Sequence, residues 1–137
     1  MNSAKVVLSV VVSIFLTGCA ARAAMVPGPT VLGAEGQVKV AKGDNGNTMV
    51  KISIRHLAPA EQVTPGGTVY VAWVQPKDGG PAQNVGQIQL TANREGLLET
   101  ITPFKDFTVT VTSEQLPTAT TPSSNPVLTS VIETSKE

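Results

Sequence analysis

Apolar and polar residues alternate with a period of two through most of the chain beyond residue 31. Gln37-Val38-Lys39-Val40-Ala41 and Val50-Lys51-Ile52-Ser53-Ile54-Arg55 both carry this pattern, which belongs to strands with one buried face. Between them, Lys42-Gly43-Asp44-Asn45-Gly46-Asn47 holds an Asn-Gly pair that tolerates positive φ. A hairpin is therefore expected, closed by Asn45-Gly46 or a slightly longer connection. Val38, Val40, Val50, Ile52 and Ile54 then share the inner face, and Lys39, Lys51 and Arg55 point outward.

The run Thr68-Val69-Tyr70-Val71-Ala72-Trp73-Val74 follows a Pro65-Gly66-Gly67 turn and is apolar on both faces. It predicts a central strand covered on both sides or lying at an interface. Alternation returns at Val85–Leu90, in a short strand at Leu97–Thr102, and most cleanly at Phe107-Thr108-Val109-Thr110-Val111-Thr112. Val127–Ile132 closes the series after a Ser/Thr/Pro loop from Thr118 to Pro126. No segment sustains a helical period with caps. Seven short strands at this spacing predict an all-β fold, a single antiparallel immunoglobulin-like β-sandwich over residues 31–137.

The N-terminus has a different pattern. Lys5 is the only charge in the first twenty-one residues, and Val6 to Leu16 is apolar except for Ser9 and Ser13. As a helix this run would reach roughly 16 Å, too short for a bilayer core and suited to a signal-peptide h-region. It ends in Leu16-Thr17-Gly18-Cys19, which resembles a lipobox, the motif cut by the lipoprotein signal peptidase. That resemblance implies diacylglyceryl attachment to the Cys19 thiol, cleavage between Gly18 and Cys19, and further acylation of the freed amine. Residues 1–18 are then the signal peptide, and 19–30 a lipidated N-terminus and flexible tether, where Pro27, Gly28 and Pro29 discourage regular structure. Two or three acyl chains make a stable anchor where one is marginal. Ala20, in place of the Asp that retains enterobacterial lipoproteins at the inner membrane, implies outer-membrane sorting in a Gram-negative host.

A second resemblance covers Leu57 to Leu128. It rests on Thr68–Val74, on Pro81 with Asn84-Val85-Gly86, on Phe107–Val111 with Glu114, and on Pro117, Pro122 and Pro126 leading into Val127-Leu128. These features resemble the extracytoplasmic domain of RskA-type anti-sigma factors and related small lipoproteins. The likeness implies a fold, and an accessory sensory or regulatory role as one functional expectation. It departs from the family at the N-terminus, where a signal peptide and Cys19 replace the sigma-binding and membrane-spanning segments. Direct sigma binding is therefore not expected.

Composition narrows the remaining options. The chain has one cysteine, Cys19 itself, so the lipidated domain would carry no disulfide. With the leader and Lys5 removed, nine basic residues stand against ten acidic ones, scattered without a basic run. From charge alone neither nucleic acid nor an anionic membrane surface is an evident partner. Tyr70, Trp73, Phe104 and Phe107 are the only aromatics after the leader, too few for a stacking platform.

Candidate chemistry is sparse. His56, the single histidine, has no Gly-x-Ser-x-Gly elbow to serve and is expected at a strand end on the surface. Asp44-Asn45-Gly46-Asn47 offers oxygen ligands, but position twelve of an EF-hand register would be Arg55, so the tight turn is the better reading. Met25 and Met49 do not make a copper site, and Glu95, Glu99 and Glu114 are dispersed. Trp73 is expected in the core between the sheets. No catalytic residue, cofactor or metal site is expected. The expected function is a non-enzymatic interaction or structural module, held in the envelope by acylated Cys19 and facing an unidentified envelope protein. A small envelope hydrolase with an unrecognised site is the alternative of a different class.

Overall fold

The computed structural model describes residues 20–123 and 125–133; the expected signal peptide, the expected cleavage between Gly18 and Cys19 and the expected lipid site Cys19 lie outside them. The fold is all-β and antiparallel, with eight strands: β1 (Ala20–Pro27), β2 (Glu35–Lys42), β3 (Thr48–Arg55), β4 (Val69–Pro76), β5 (Gln83–Ile88), β6 (Gly96–Thr102), β7 (Phe107–Glu114) and β8 (Pro126–Ile132). They are ordered β5-β4-β7-β8-β1-β2-β3-β6. Without β1, the groups β2-β3-β6 and β5-β4-β7-β8 follow the A-B-E and C′-C-F-G orders of immunoglobulin-like sandwiches.

β1 departs from the expected tether. Ala20 to Met25 pair with β2 and Val26-Pro27 with β8, so one strand joins the two halves into a single curled sheet. Its sequence is alanine-rich and weak in β propensity. The free edges of β2 and β8 recruit it, and Met25 packs inward over Gly36, whose missing side chain leaves room for the thioether. The Pro-Gly-Pro stretch acts where the strand ends. Gly28 donates to the Val127 carbonyl at 2.8 Å, and a Cβ there would lie 2.6 Å from the Pro126 oxygen.

The curled sheet nearly closes as a barrel, because its terminal strands β5 and β6 meet through side chains. Ile88 lies against Gly96, and Leu98 against Gly86. Gly86 sits in a bulge between Ala72 and Trp73 of the partner strand, at φ +141°, and this irregularity turns β5 toward β6.

The interior is aliphatic. Val38, Val50, Ile52 and Ile54 of one half face Tyr70, Val74, Phe107, Val109, Val111 and Leu128 of the other. The phases read from alternation in β2, β3 and β7 agree with this packing. Leu57 and Ala60, on a segment with one helical turn at Ala60–Val63, close the end at which β3 terminates. There the Tyr70 hydroxyl donates to the Ala58 carbonyl.

The β2–β3 hairpin has a five-residue connection, from Lys42 paired with Thr48. Asn45 (φ 60°) and Gly46 (φ 77°) are both left-handed, as the Asn-Gly pair predicted. Nothing lies within 4 Å of a Cβ built on Gly46, so substitution there meets backbone strain alone. Gly46→Val should lower stability by about 1 kcal/mol or more, measured by urea unfolding, while Asn45→Gly stays near neutral. Calcium should leave the melting temperature of the wild type unchanged, because the Gly46 carbonyl already accepts from the Lys105 ammonium at 2.7 Å.

Candidate functional site

β4 is covered on both faces, in agreement with its all-apolar pattern, but Trp73 is not between the sheets. Tyr70, Ala72 and Val74 belong to the interior cluster, whereas Val71 and Trp73 point the other way and are still buried, Trp73 to 1 % exposure. The 115–125 connection between β7 and β8 provides the cover. Asn84 on β5 donates to the carbonyls of Pro117 and Ala119, both at 2.9 Å, and the Ser123 amide donates to the Glu114 carboxylate at 2.8 Å. Anchored on strands either side of β4, the loop lies across Trp73. Beneath it the indole Nε1 donates to Thr112 Oγ1 at 2.7 Å, and that hydroxyl donates to Glu114. Trp73, Thr112, Glu114 and the Ser123 amide thus form one hydrogen-bonded chain, and Asn84 fastens the same loop from β5 through Pro117 and Ala119.

An open groove of about 580 Å³ lies along the β5–β6 seam, lined by residues including Ser53, Arg55, Gln87, Gln89, Glu95 and Leu97. It exists because the two terminal strands touch through side chains without a hydrogen-bond ladder, leaving polar strand faces splayed apart. Arg55 is directed by Glu35, its cross-strand neighbour, at 2.8 Å. The Arg55 hydrogen bond and charge hold the Glu35 carboxyl below its ordinary value. Both groups are well exposed, so the pair directs Arg55 more than it stabilises the fold. Ser53 and Thr91 supply the groove's hydroxyls. Thr91 Oγ1 is occupied by the amides of Asn93 and Glu95, and His56 is not in the lining. Its lining is mixed, with polar side chains beside Ile54 and Leu97.

The other polar candidates do not converge. His56 sits exposed just beyond β3, at φ 59°. Glu95 borders the groove, Glu99 stands across from Lys51 on β6, and Glu114 belongs to the tryptophan network. Met25 is buried and Met49 exposed, on opposite faces of the sheet. Among the described residues, no three His, Cys, Asp or Glu gather closely enough to hold a metal ion, and no helix is long and apolar enough to cross a membrane.

No protein-family model matches the chain, and no curated protein shows significant similarity to it.

Proposed function

We propose that the protein is a membrane-anchored envelope lipoprotein whose β-sandwich acts, without catalysis, as an interaction or structural module. The observation that carries this reading is the junction at the N-terminus. The apolar run Val6–Leu16 and Leu16-Thr17-Gly18-Cys19 lead into Ala20, which already pairs with Ala41 in the sheet. Lipid on Cys19 would be joined to the folded domain without a spacer. The seam groove supports the second half of the reading. It lies at the Arg55 end of β3, whereas Ala20 is aligned through Ala41 with Met49 near the other end. A partner in the groove would approach from the side away from the membrane. In a Gram-negative host, Ala20 favours the outer membrane.

Palmitate labelling tests the anchor. Wild-type protein should incorporate the label and Cys19→Ser should not; equal labelling of the two rejects the reading. Cross-linking in intact envelopes, from a photoreactive group at Gln89 in the groove, tests the interaction module. A single cross-linked envelope protein is the expected result, and cross-links to lipid alone would reject the orientation. The sensory or regulatory alternative, from the anti-sigma resemblance, would show as a changed transcriptional response when the gene is deleted.

A further inference from the structure

The outer face of the β1–β2–β3–β6 half carries two cross-strand rows that alternation along a single strand does not reveal. In the row at the Cys19 end, Ala20, Ala41, Met49 and Ile101 stand side by side across four strands. Met49 is 50 % exposed and Ile101 61 %. Two residues further along each strand, roughly 7 Å away, comes Arg22-Lys39-Lys51-Glu99. Three cations therefore stand directly opposite one another on adjacent strands, an arrangement that costs stability unless counter-charge is supplied. Among the described residues none of the three side chains makes an ion pair or hydrogen bond.

We propose that the Cys19 end of this face rests on the bilayer that holds Cys19, with Met49 and Ile101 entering the interface and Arg22, Lys39 and Lys51 meeting anionic headgroup phosphates, while the groove residues Ser53, Arg55 and Leu97, farther along the same face, stay clear of it. The inference rests on the lipid anchor proposed above. Ala20, the next residue after Cys19, is itself a member of the apolar row, so the acyl chains enter the membrane within one residue, about 3.8 Å, of that row. With Ala20 held in the sheet the domain has no slack to stand off the lipid. Isolated exposed apolar residues are ordinary on protein surfaces; the alignment of Met49 and Ile101 with the anchor, next to a row of three cations and a single carboxylate, sets this pair apart. Each cation at an anionic surface strengthens contact roughly five-fold at low salt.

The test uses lipidated protein in vesicles of phosphatidylcholine with a minority of phosphatidylglycerol. Because Cys19 is blocked by its thioether, Met49→Cys, Ile101→Cys and Leu116→Cys each present one thiol for an environment-sensitive fluorophore. Leu116, 63 % exposed on the loop over β4, reports the opposite side of the sandwich. Probes at 49 and 101 should emit to the blue and be quenched by spin-labelled lipid, while the probe at 116 is neither. Replacing Arg22, Lys39 and Lys51 together with Gln should cut the quenching at 49 and 101, as should raised salt. Unchanged emission from Trp73 verifies that each variant is folded. Equal solvent exposure of all three probes, with lipid confirmed on Cys19 by mass, overturns the orientation and leaves the anchor intact. Probes at 49 and 101 shielded from water yet unquenched by lipid would place a protein on this face, which also overturns it. Absence of lipid on Cys19 removes the anchor and this inference together.

Discussion

Trp73→Ala should cost about 3–5 kcal/mol, a large part of the ~5–15 kcal/mol that stabilises a typical domain. The side chain is the largest buried one in the domain, and its loss empties the space between β4 and the 115–125 loop. The indole also donates to Thr112, which in turn donates to Glu114. Trp73→Phe keeps most of the volume and removes that donor, so it should cost less, about 1–2 kcal/mol. Because the tryptophan lies under a loop and outside the central core, the first consequence of Trp73→Ala should be local. Protease cleavage within 115–125 should accelerate before the β-sheet melts. Wild-type emission, from the chain's single tryptophan, should be blue-shifted and shielded from acrylamide. Red-shifted emission with free quencher access would place Trp73 at the surface and reject the locking role.

Raising the pH above 10 should destabilise the fold through Tyr70. Burial, followed by the charge of Glu61, pushes the Tyr70 phenol above its ordinary value of 10.0. Below pH 10 the hydroxyl is protonated in both folded and unfolded chains and contributes no pH dependence. Above it the unfolded chain loses the proton that the folded chain keeps, so stability falls by up to about 1.4 kcal/mol per pH unit. The chain has one tyrosine, so the ultraviolet absorbance of phenolate follows this site alone. Ionisation should coincide with unfolding rather than precede it. Tyr70→Phe should lose about 1 kcal/mol at neutral pH, with the hydrogen bond to the Ala58 carbonyl, and should flatten the alkaline decline. A phenol that titrates near 10 in the folded protein would show that the hydroxyl is open to solvent.

Alternation was a sound guide wherever one face of a strand meets the core and the other meets water. In β2, β3 and β7 a shift of one residue would have exposed every valine and isoleucine, so pattern and register agree. The Asn-Gly turn was legible for a local reason, the positive φ required at two successive positions. Residues 20–27 were not legible as a strand. Their alanines have little preference for extended structure, and their pairing depends on edges of β2 and β8 that the rest of the fold must first assemble. Trp73 was correctly expected to be buried, but its cover is a Ser/Thr/Pro loop held through Asn84 and Glu114, partners that no local pattern connects. The basic row was hidden in the same way. Arg22, Lys39 and Lys51 are far apart in a chain whose charges nearly balance, and strand register alone sets them side by side.

By itself, then, the sequence determined the all-β class, the inward and outward phases of its strands, the hairpin turn and the expectation of lipid at Cys19, because each depends on neighbours within a few residues. Only the tertiary structure decided that the N-terminal segment bridges the two half-sheets, that Trp73 locks a loop, and that a groove opens where β5 and β6 meet. Those features arise from contacts between distant strands, whose registers are set once the whole sheet has curled around its core.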